Sequence, residues 1–253
     1  WNVLNSFTLS AIPLFIILGE IMLRSEVSKK IYVALSPLFQ NIPGGLLHTN
    51  IAVCTLFGAV SGSSLSTAAA VGSVAYPEMT ERGYDKKMVV GSLAGGGTLG
   101  LLIPPSLSLL IYGALTETSI GQLFLAGIIP GVLFAIMFMI YIYFKCMRQP
   151  PLAPTDDTVF KFTKIIIDIL SIWPFLIVVF AIMGSITFGI ATPTEAAGVG
   201  VIATIILGKL WGSLTFRKLV EAIFSATLLY ASIMFVVIGA TILAQAVSLL
   251  GIP

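Results

Sequence analysis

The side chains with the most chemical potential in this sequence are hydroxyls held among glycines and prolines. Ser61-Gly62-Ser63-Ser64, continued by Ser66 and Thr67, sits in the 46–77 stretch, which contains no Asp, Glu, Lys or Arg. A turn there frees backbone carbonyl and hydroxyl oxygens, the ligand set that suits a hard cation such as Na⁺. Small residues also let helices approach closely, so the stretch by itself leaves an ion site and a packing motif both open. The run that follows favours the first. It reads Ala94-Gly-Gly-Gly-Thr-Leu-Gly-Leu-Leu-Ile-Pro-Pro-Ser106, three successive glycines and a double proline inside the apolar segment 88–115. Each proline removes an amide donor and interrupts the helix ladder, and glycine allows an unwound turn. A broken helix beside a re-entrant hairpin is the arrangement that carries ion and substrate sites near the bilayer midplane in secondary transporters.

Other chemistries lack their groups. A serine hydrolase needs a base for its serine, yet the one histidine, His48, is expected at the water interface as a satisfied surface residue, and no lysine falls inside an apolar run. The same shortage removes a histidine metal cluster. Cys54 and Cys146 match no metal or redox spacing and read as small apolar fillers. Glu195 closes Thr192-Pro193-Thr194-Glu195, a capping box with proline at the first helical position, so its role is structural. Glu20 and Asp168 stand near the ends of apolar runs, where a charge reaches the interface cheaply. No enzyme activity and no cofactor are expected. A channel is harder to dismiss by composition: it needs a continuous pore lined by ligand rings, which one fragment cannot display.

The elements that must position these residues are membrane helices. Of 253 residues, 57% are apolar and 9% charged, and the mean hydropathy is +1.06. A soluble chain carries about 25% charged residues, so an ordinary water-soluble enzyme is excluded. The net charge of +2 is too mild to suggest a nucleic-acid partner. Apolar runs at 7–23, 88–115, 121–144, 165–183, 193–208 and 222–247 predict spans. The 46–77 stretch is either one long span or a hairpin that turns at 61–64 and returns. Lys and Arg collect on the cytoplasmic side, and with a hairpin all 13 fall on one face, whereas a single span separates three from ten. The hairpin is therefore preferred, with arms 46–60 and 65–77 too short to cross a core of roughly 30 Å. A span at 31–47 would give the same charge count, but that segment is interrupted by Pro37, Gln40, Asn41, Pro43, Gly44 and Gly45 and reads rather as an interfacial helix on the cytoplasmic surface. The polar run 148–164 reads as a cytoplasmic connector. Because the chain opens at Trp1 and stops at Pro253 after an apolar stretch, an internal piece of a longer polytopic protein is expected.

At these motifs the sequence resembles the large membrane (permease) subunit of TRAP transporters, the tripartite ATP-independent periplasmic systems. The matching stretches are Ala11-Ile-Pro-Leu-Phe15 with Gly19-Glu20, GAVSGSSLSTAAAVG at 58–72, PEM at 77–79 and GYDK at 83–86. They continue with GTLGLLIPPS at 97–106, SIG at 119–121, LFLAGIIPG at 123–131 and TPTEAA at 192–197. The match runs nearly end to end and in order; Leu65-Ser66 stands where the family usually carries small residues.

The resemblance implies an all-α polytopic membrane protein with an inverted-repeat ion-transporter fold, a re-entrant helical hairpin and a broken transmembrane helix. The first repeat would be 1–147, with its scaffold helix, arm helix, hairpin, broken helix and helix 121–144. The second would begin at 165, its own hairpin and broken helix lying beyond Pro253, so that the chain alone should not transport. The implied activity is Na⁺-coupled symport of a carboxylate-bearing organic solute in a prokaryotic inner membrane. The implied partners are a small membrane subunit and a periplasmic solute-binding protein. The family's ion and substrate contacts carry over to Ser61, Gly62, Ser63, Ser64, Ser66, Gly97, Thr98, Gly100, Ile103, Pro104, Pro105 and Ser106. Within that set, Na⁺ would sit at Ser61, Ser63, Gly100, Ile103 and Pro105. A sodium/anion symporter loaded without a binding protein, and a channel-like or structural membrane subunit, are the alternatives.

Overall fold

Glycine and proline punctuate the apolar runs, and the helices begin and end at them. In the computed structural model, which describes residues 7–154 and 170–250, every regular element among the described residues is helical. The first expected span is a 3₁₀ turn, Phe7–Ser10, leading into a 14-residue helix α1 (Ala11–Arg24). Glu26, at φ 58°, turns the chain into α2 (Val27–Phe39). Val27, Ile31, Ala34 and Leu35 make the buried face of α2, and Lys29, Lys30 and Val33 its exposed one, the stripe of a surface helix. The helix expected over 31–47 thus starts earlier and stops at Phe39, because residues 40–45 turn through Gly44 and Gly45 at φ 109° and 42°.

The charge-free stretch forms two helices, α3 (Leu46–Ser61) and α4 (Ser64–Glu81), joined by a turn at residues 62–63. They fold back on each other. Asn50, near the start of α3, donates to Met79 Sδ near the end of α4 (3.3 Å) and to Ser92 Oγ (2.8 Å). The second arm passes through Pro77 and ends at Glu81, four residues beyond the boundary read from the sequence.

Asp85 caps α5 (Lys86–Leu102) by accepting from Met88 N at 2.9 Å. The helix ends where Ile103, extended at ψ 121°, precedes two prolines, as the clash of a proline ring with the preceding residue requires. After residues 103–106 the chain resumes helix as α6 (Leu107–Thr116), so the expected broken helix is present. Then come α7 (Ile120–Arg148), a short 3₁₀ turn Pro150–Leu152, α8 (Trp173–Thr187), α9 (Pro193–Leu210) and α10 (Phe216–Leu249). Asp156, Asp157, Lys161, Lys164 and Asp168, with most of the connector and the start of the 165–183 run, lie outside the described residues. Thr192 and Glu195 form the expected capping box at the start of α9.

The segment Lys86–Thr116, α5 and α6 together, and the helices Ile120–Arg148, Pro193–Leu210 and Phe216–Val247 are long and apolar enough to cross a membrane. Their outward side chains are apolar too: Ile129 is 76% and Phe235 82% exposed, on faces a soluble protein would cover. The chain is an all-α polytopic membrane protein. α1 lies between α3 on one side and α9 and α10 on the other, and α5 packs against both arms of the hairpin. The loops that carry basic residues meet one another at one end of the bundle. Ser213 N donates to Ser25 O at 2.8 Å, Asp85 N to Leu152 O at 3.1 Å, and Leu46 N to Tyr84 Oη at 3.2 Å.

Candidate functional site

The turn between α3 and α4 is built by residue type. Gly62 takes the left-handed conformation, φ 59°, and its N–H donates to Gly58 O at 2.9 Å, closing α3. Ser63 is extended and caps α4, its Oγ accepting from Ser66 N at 3.4 Å. Ser61 Oγ and Thr67 Oγ1 are 2.6 Å apart across the turn, both residues buried. The tip is thus held by its own hydroxyls.

It is seated on the broken helix through glycines. A β-carbon on Gly100 would lie 2.7 Å from Thr67 Oγ1 and 3.0 Å from the Ser63 carbonyl oxygen. On Gly97 it would meet Ala68 Cβ at 2.9 Å and the Ser64 carbonyl at 3.2 Å, and on Gly58 it would meet Gly100 Cα at 2.7 Å. These distances are below ordinary van der Waals contact, so backbone approaches backbone only because no side chain intervenes. From the other side Gly62 meets the break itself. Leu107 N donates to Gly62 O at 3.3 Å, and a β-carbon on Gly62 would be 2.9 Å from the Pro105 carbonyl. Gly19 of α1 backs the tip, its β-carbon position 2.9 Å from Ser61 O.

The break is also braced. Ser106 and Ser108 both donate to the Leu101 carbonyl, the latter at 3.0 Å, satisfying an acceptor that the lost helix leaves open. Behind it, α7 presents Gly127 and Gly131. Their β-carbon positions lie 2.8 Å from Leu102 O and 2.5 Å from the Ile103 side chain, a small-xxx-small seat of the kind that membrane helices use.

Of the twelve residues read from the sequence, Ser61, Gly62, Ser63, Ser64, Gly97, Gly100, Pro105 and Ser106 are brought to this junction. Ser66 joins it through its backbone N–H. Pro104 packs near Gly127, and Ile103 turns its side chain to Gly131. Thr98 stands apart: it is exposed and donates to Gly95 O of its own helix at 2.6 Å. Leu65 is 80% exposed and takes no part in packing behind the tip. The twelve omitted Thr67, Gly58, Ser108 and the α7 glycines. The spacing of Gly127 and Gly131 was the available signal for the last two.

His48 is a correction. It is buried, with Nε2 2.9 Å from Pro43 O and its ring stacked 6.0 Å from that of Phe39. The turn at 43–45 folds over it, which a sequence cannot reveal. Glu20 is buried too, its Oε2 3.6 Å from Arg24 Nε, and Arg24 also donates to Glu221 and Ser225 at 3.2 and 2.7 Å. Both cysteines are free and buried. No group of three or more His, Cys, Asp or Glu side chains is placed to hold a metal among the described residues. A cavity of about 1280 Å³ between the α6–α7 and α8–α9 turns and α10 is lined by none of the twelve.

The junction can serve both signs of charge. The C-terminal ends of α3 and α5 point partial negative charge at it and the N-terminal ends of α4 and α6 partial positive charge. Neutral oxygens of Ser61, Ser63, Thr67 and Pro105 lie there, of the kind that suits a hard cation. Ser64 Oγ is buried there without a hydrogen-bond partner, an oxygen left to be satisfied by something else.

Comparison with known proteins agrees over the whole length. The family model for the tripartite ATP-independent periplasmic transporter, DctM component, matches residues 1–253. The ectoine TRAP transporter large permease protein TeaC of Halomonas elongata is 35% identical over 237 residues, 92% of this chain and 54% of the relative. The C4-dicarboxylate TRAP transporter large permease protein DctM of Pseudomonas aeruginosa is 32% identical over 252 residues, 98% and 57% of the two chains. The sialic acid TRAP transporter large permease protein SiaM of Vibrio cholerae is 33% identical over 241 residues, 94% and 56%. The chain spans about half the length of these relatives. They are transporter permeases, not enzymes. With its helical hairpin, broken helix and end-to-end match, the chain belongs to the DctM component family of tripartite ATP-independent periplasmic transporters.

Proposed function

We propose that the complete protein is the permease of a Na⁺-coupled symporter for a carboxylate-bearing organic solute, handed over by a periplasmic binding protein and assembled with a small membrane subunit. The observation that carries this reading is the junction of hairpin tip and broken helix. It gathers neutral oxygens and four helix ends in a segment with no fixed charge. A cation bound there would be held by carbonyls and hydroxyls of Ser61, Ser63, Gly100, Ile103 and Pro105. Its charge and the N-terminal ends of α4 and α6 would then favour an anionic solute. Relatives named for C4-dicarboxylates and sialic acid support a carboxylate-bearing solute. The hairpin is re-entrant in this reading, with the basic loops on the cytoplasmic face of an inner membrane.

The test is uptake into proteoliposomes by the full-length permease with its small subunit, using a candidate carboxylate, an imposed Na⁺ gradient, and binding protein present or absent. Uptake that needs both sodium and the binding protein is the expected result. Uptake with sodium alone would overturn delivery by a binding protein, and sodium-independent flux would overturn the coupling.

A further inference from the structure

At the basic end of the bundle a second cavity, about 450 Å³, opens between the α1–α2 corner, the exposed face of α2 and the α9–α10 turn. Lys29 and Lys30 line it together with Val33 and Trp211. Lys30 Nζ sits 5.3 Å from the Trp211 ring centroid, which orients its stem without neutralising it. Glu26 also lines the cavity, but Lys218 Nζ donates to its Oε1 at 2.8 Å. The nearby acids Glu20 and Glu221 are taken up by Arg24. Among the described residues, the charges left facing the cavity are those of Lys30 and of Lys29, which also acts on Glu26.

Val33 of the lining is 60% exposed, and Leu210, which precedes Trp211 in the chain, is 81% exposed. Two cations in a recess, with aromatic and aliphatic side chains leading away from it, match a phosphate on an acyl-chain-bearing backbone. We propose that this pocket binds the headgroup of an anionic phospholipid of the cytoplasmic leaflet, Lys29 and Lys30 contacting its phosphate and Val33 and Leu210 its acyl chains. Such a lipid would bridge the α2 helix to the α9–α10 turn. The proposal rests on the topology given under Proposed function, which places this end in the cytoplasm.

The test is native mass spectrometry of the full-length permease in detergent, titrated with phosphatidylglycerol or phosphatidylcholine. Phosphatidylglycerol adducts should be retained preferentially. The double variant Lys29→Gln/Lys30→Gln should weaken them by roughly thirtyfold, and Lys29→Arg/Lys30→Arg should restore them. Lys86→Gln/Lys87→Gln, which neutralises a basic pair outside the pocket, should leave them in place. Glycerol 3-phosphate should not displace the lipid; if it does, the site takes a soluble phosphate and the lipid assignment falls. Equal retention of the two lipids, or adducts unaffected by the Gln pair, would also overturn it. Labelling of Lys87→Cys by an impermeant maleimide in sealed vesicles of known orientation reads the topology separately. A periplasmic position there would refute the topology whatever the lipid result.

Discussion

Replacing Gly100 by alanine should displace the hairpin tip, and Gly91→Ala on the same helix supplies the matched comparison. Both changes gain the same helix propensity, about 1 kcal/mol, so that contribution cancels between them. A β-carbon on Gly91 meets nothing within 4 Å. On Gly100 it would come 2.7 Å from Thr67 Oγ1 and 3.0 Å from Ser63 O. The first contact can be relieved only by rotating a hydroxyl out of its 2.6 Å bond with Ser61. The second involves backbone and can be relieved only by moving the tip. Overpacking of this kind costs about 1–3 kcal/mol, or roughly 5- to 150-fold in an equilibrium. Gly100→Ala in the complete permease should therefore show a lower thermal midpoint than Gly91→Ala and a half-saturating Na⁺ concentration at least about fivefold higher in proteoliposome uptake. Identical sodium dependence and stability in the two variants would refute the claim that this contact positions the tip. A loss of stability with unchanged sodium dependence would return the glycines to a packing role alone.

Three further outcomes follow from the same geometry. Ser61→Ala should destabilise the protein by about 1–3 kcal/mol by leaving the buried Thr67 hydroxyl unpaired, and Thr67→Val by less, because Ser61 Oγ keeps the Ser63 carbonyl at 3.4 Å; the double variant should cost less than their sum, and additive thermal shifts would mean that the pair does not interact. Gly131→Val should force the Ile103 side chain off the α7 seat and lower both stability and uptake, while Thr192→Ala, a capping loss of about 1 kcal/mol, should lower stability and leave half-saturating sodium unchanged. The Glu26 carboxyl, outside the apolar helices, is held below its ordinary value chiefly by the hydrogen bond from Lys218. Stability from that pair is therefore present above the usual carboxylate range and lost as pH falls through the lowered value. Because the pair is exposed, the effect should be under about 1 kcal/mol and absent from Glu26→Gln; an acid-side slope undiminished in that variant would contradict the assignment.

Much of this architecture is legible residue by residue. The turn at residues 62–63 follows from glycine and serine inside an apolar, charge-free run, and the break at 103–106 follows from two prolines that can neither donate nor continue a helix. Thr192 and Glu195 announce their capping box by spacing alone. These signals are local: each depends on covalent geometry within a few residues. His48 and the limits of α2 were misread for the opposite reason. What surrounds His48 is decided by the fold of the 43–45 turn and by Phe39 stacking on the ring, neither of which its immediate neighbours encode. Thr98 shows the same limit, since only the docking of the hairpin decides which face of α5 is covered.

The sequence by itself determined that the chain is helical and membrane-bound, and that its helices break at 62–63 and 103–106, because composition, proline and glycine act through local sterics and hydration. Only the tertiary structure decided that Gly58, Gly97 and Gly100 form one continuous seat, that Thr67 shares its hydroxyl with Ser61, and that Gly127 and Gly131 hold the break from behind. It also brought Lys30 over Trp211, across a long sequence separation. These relations join residues on different helices at contact distance, and what fixes them is the mutual exclusion of volume when helices pack, a quantity no single segment contains.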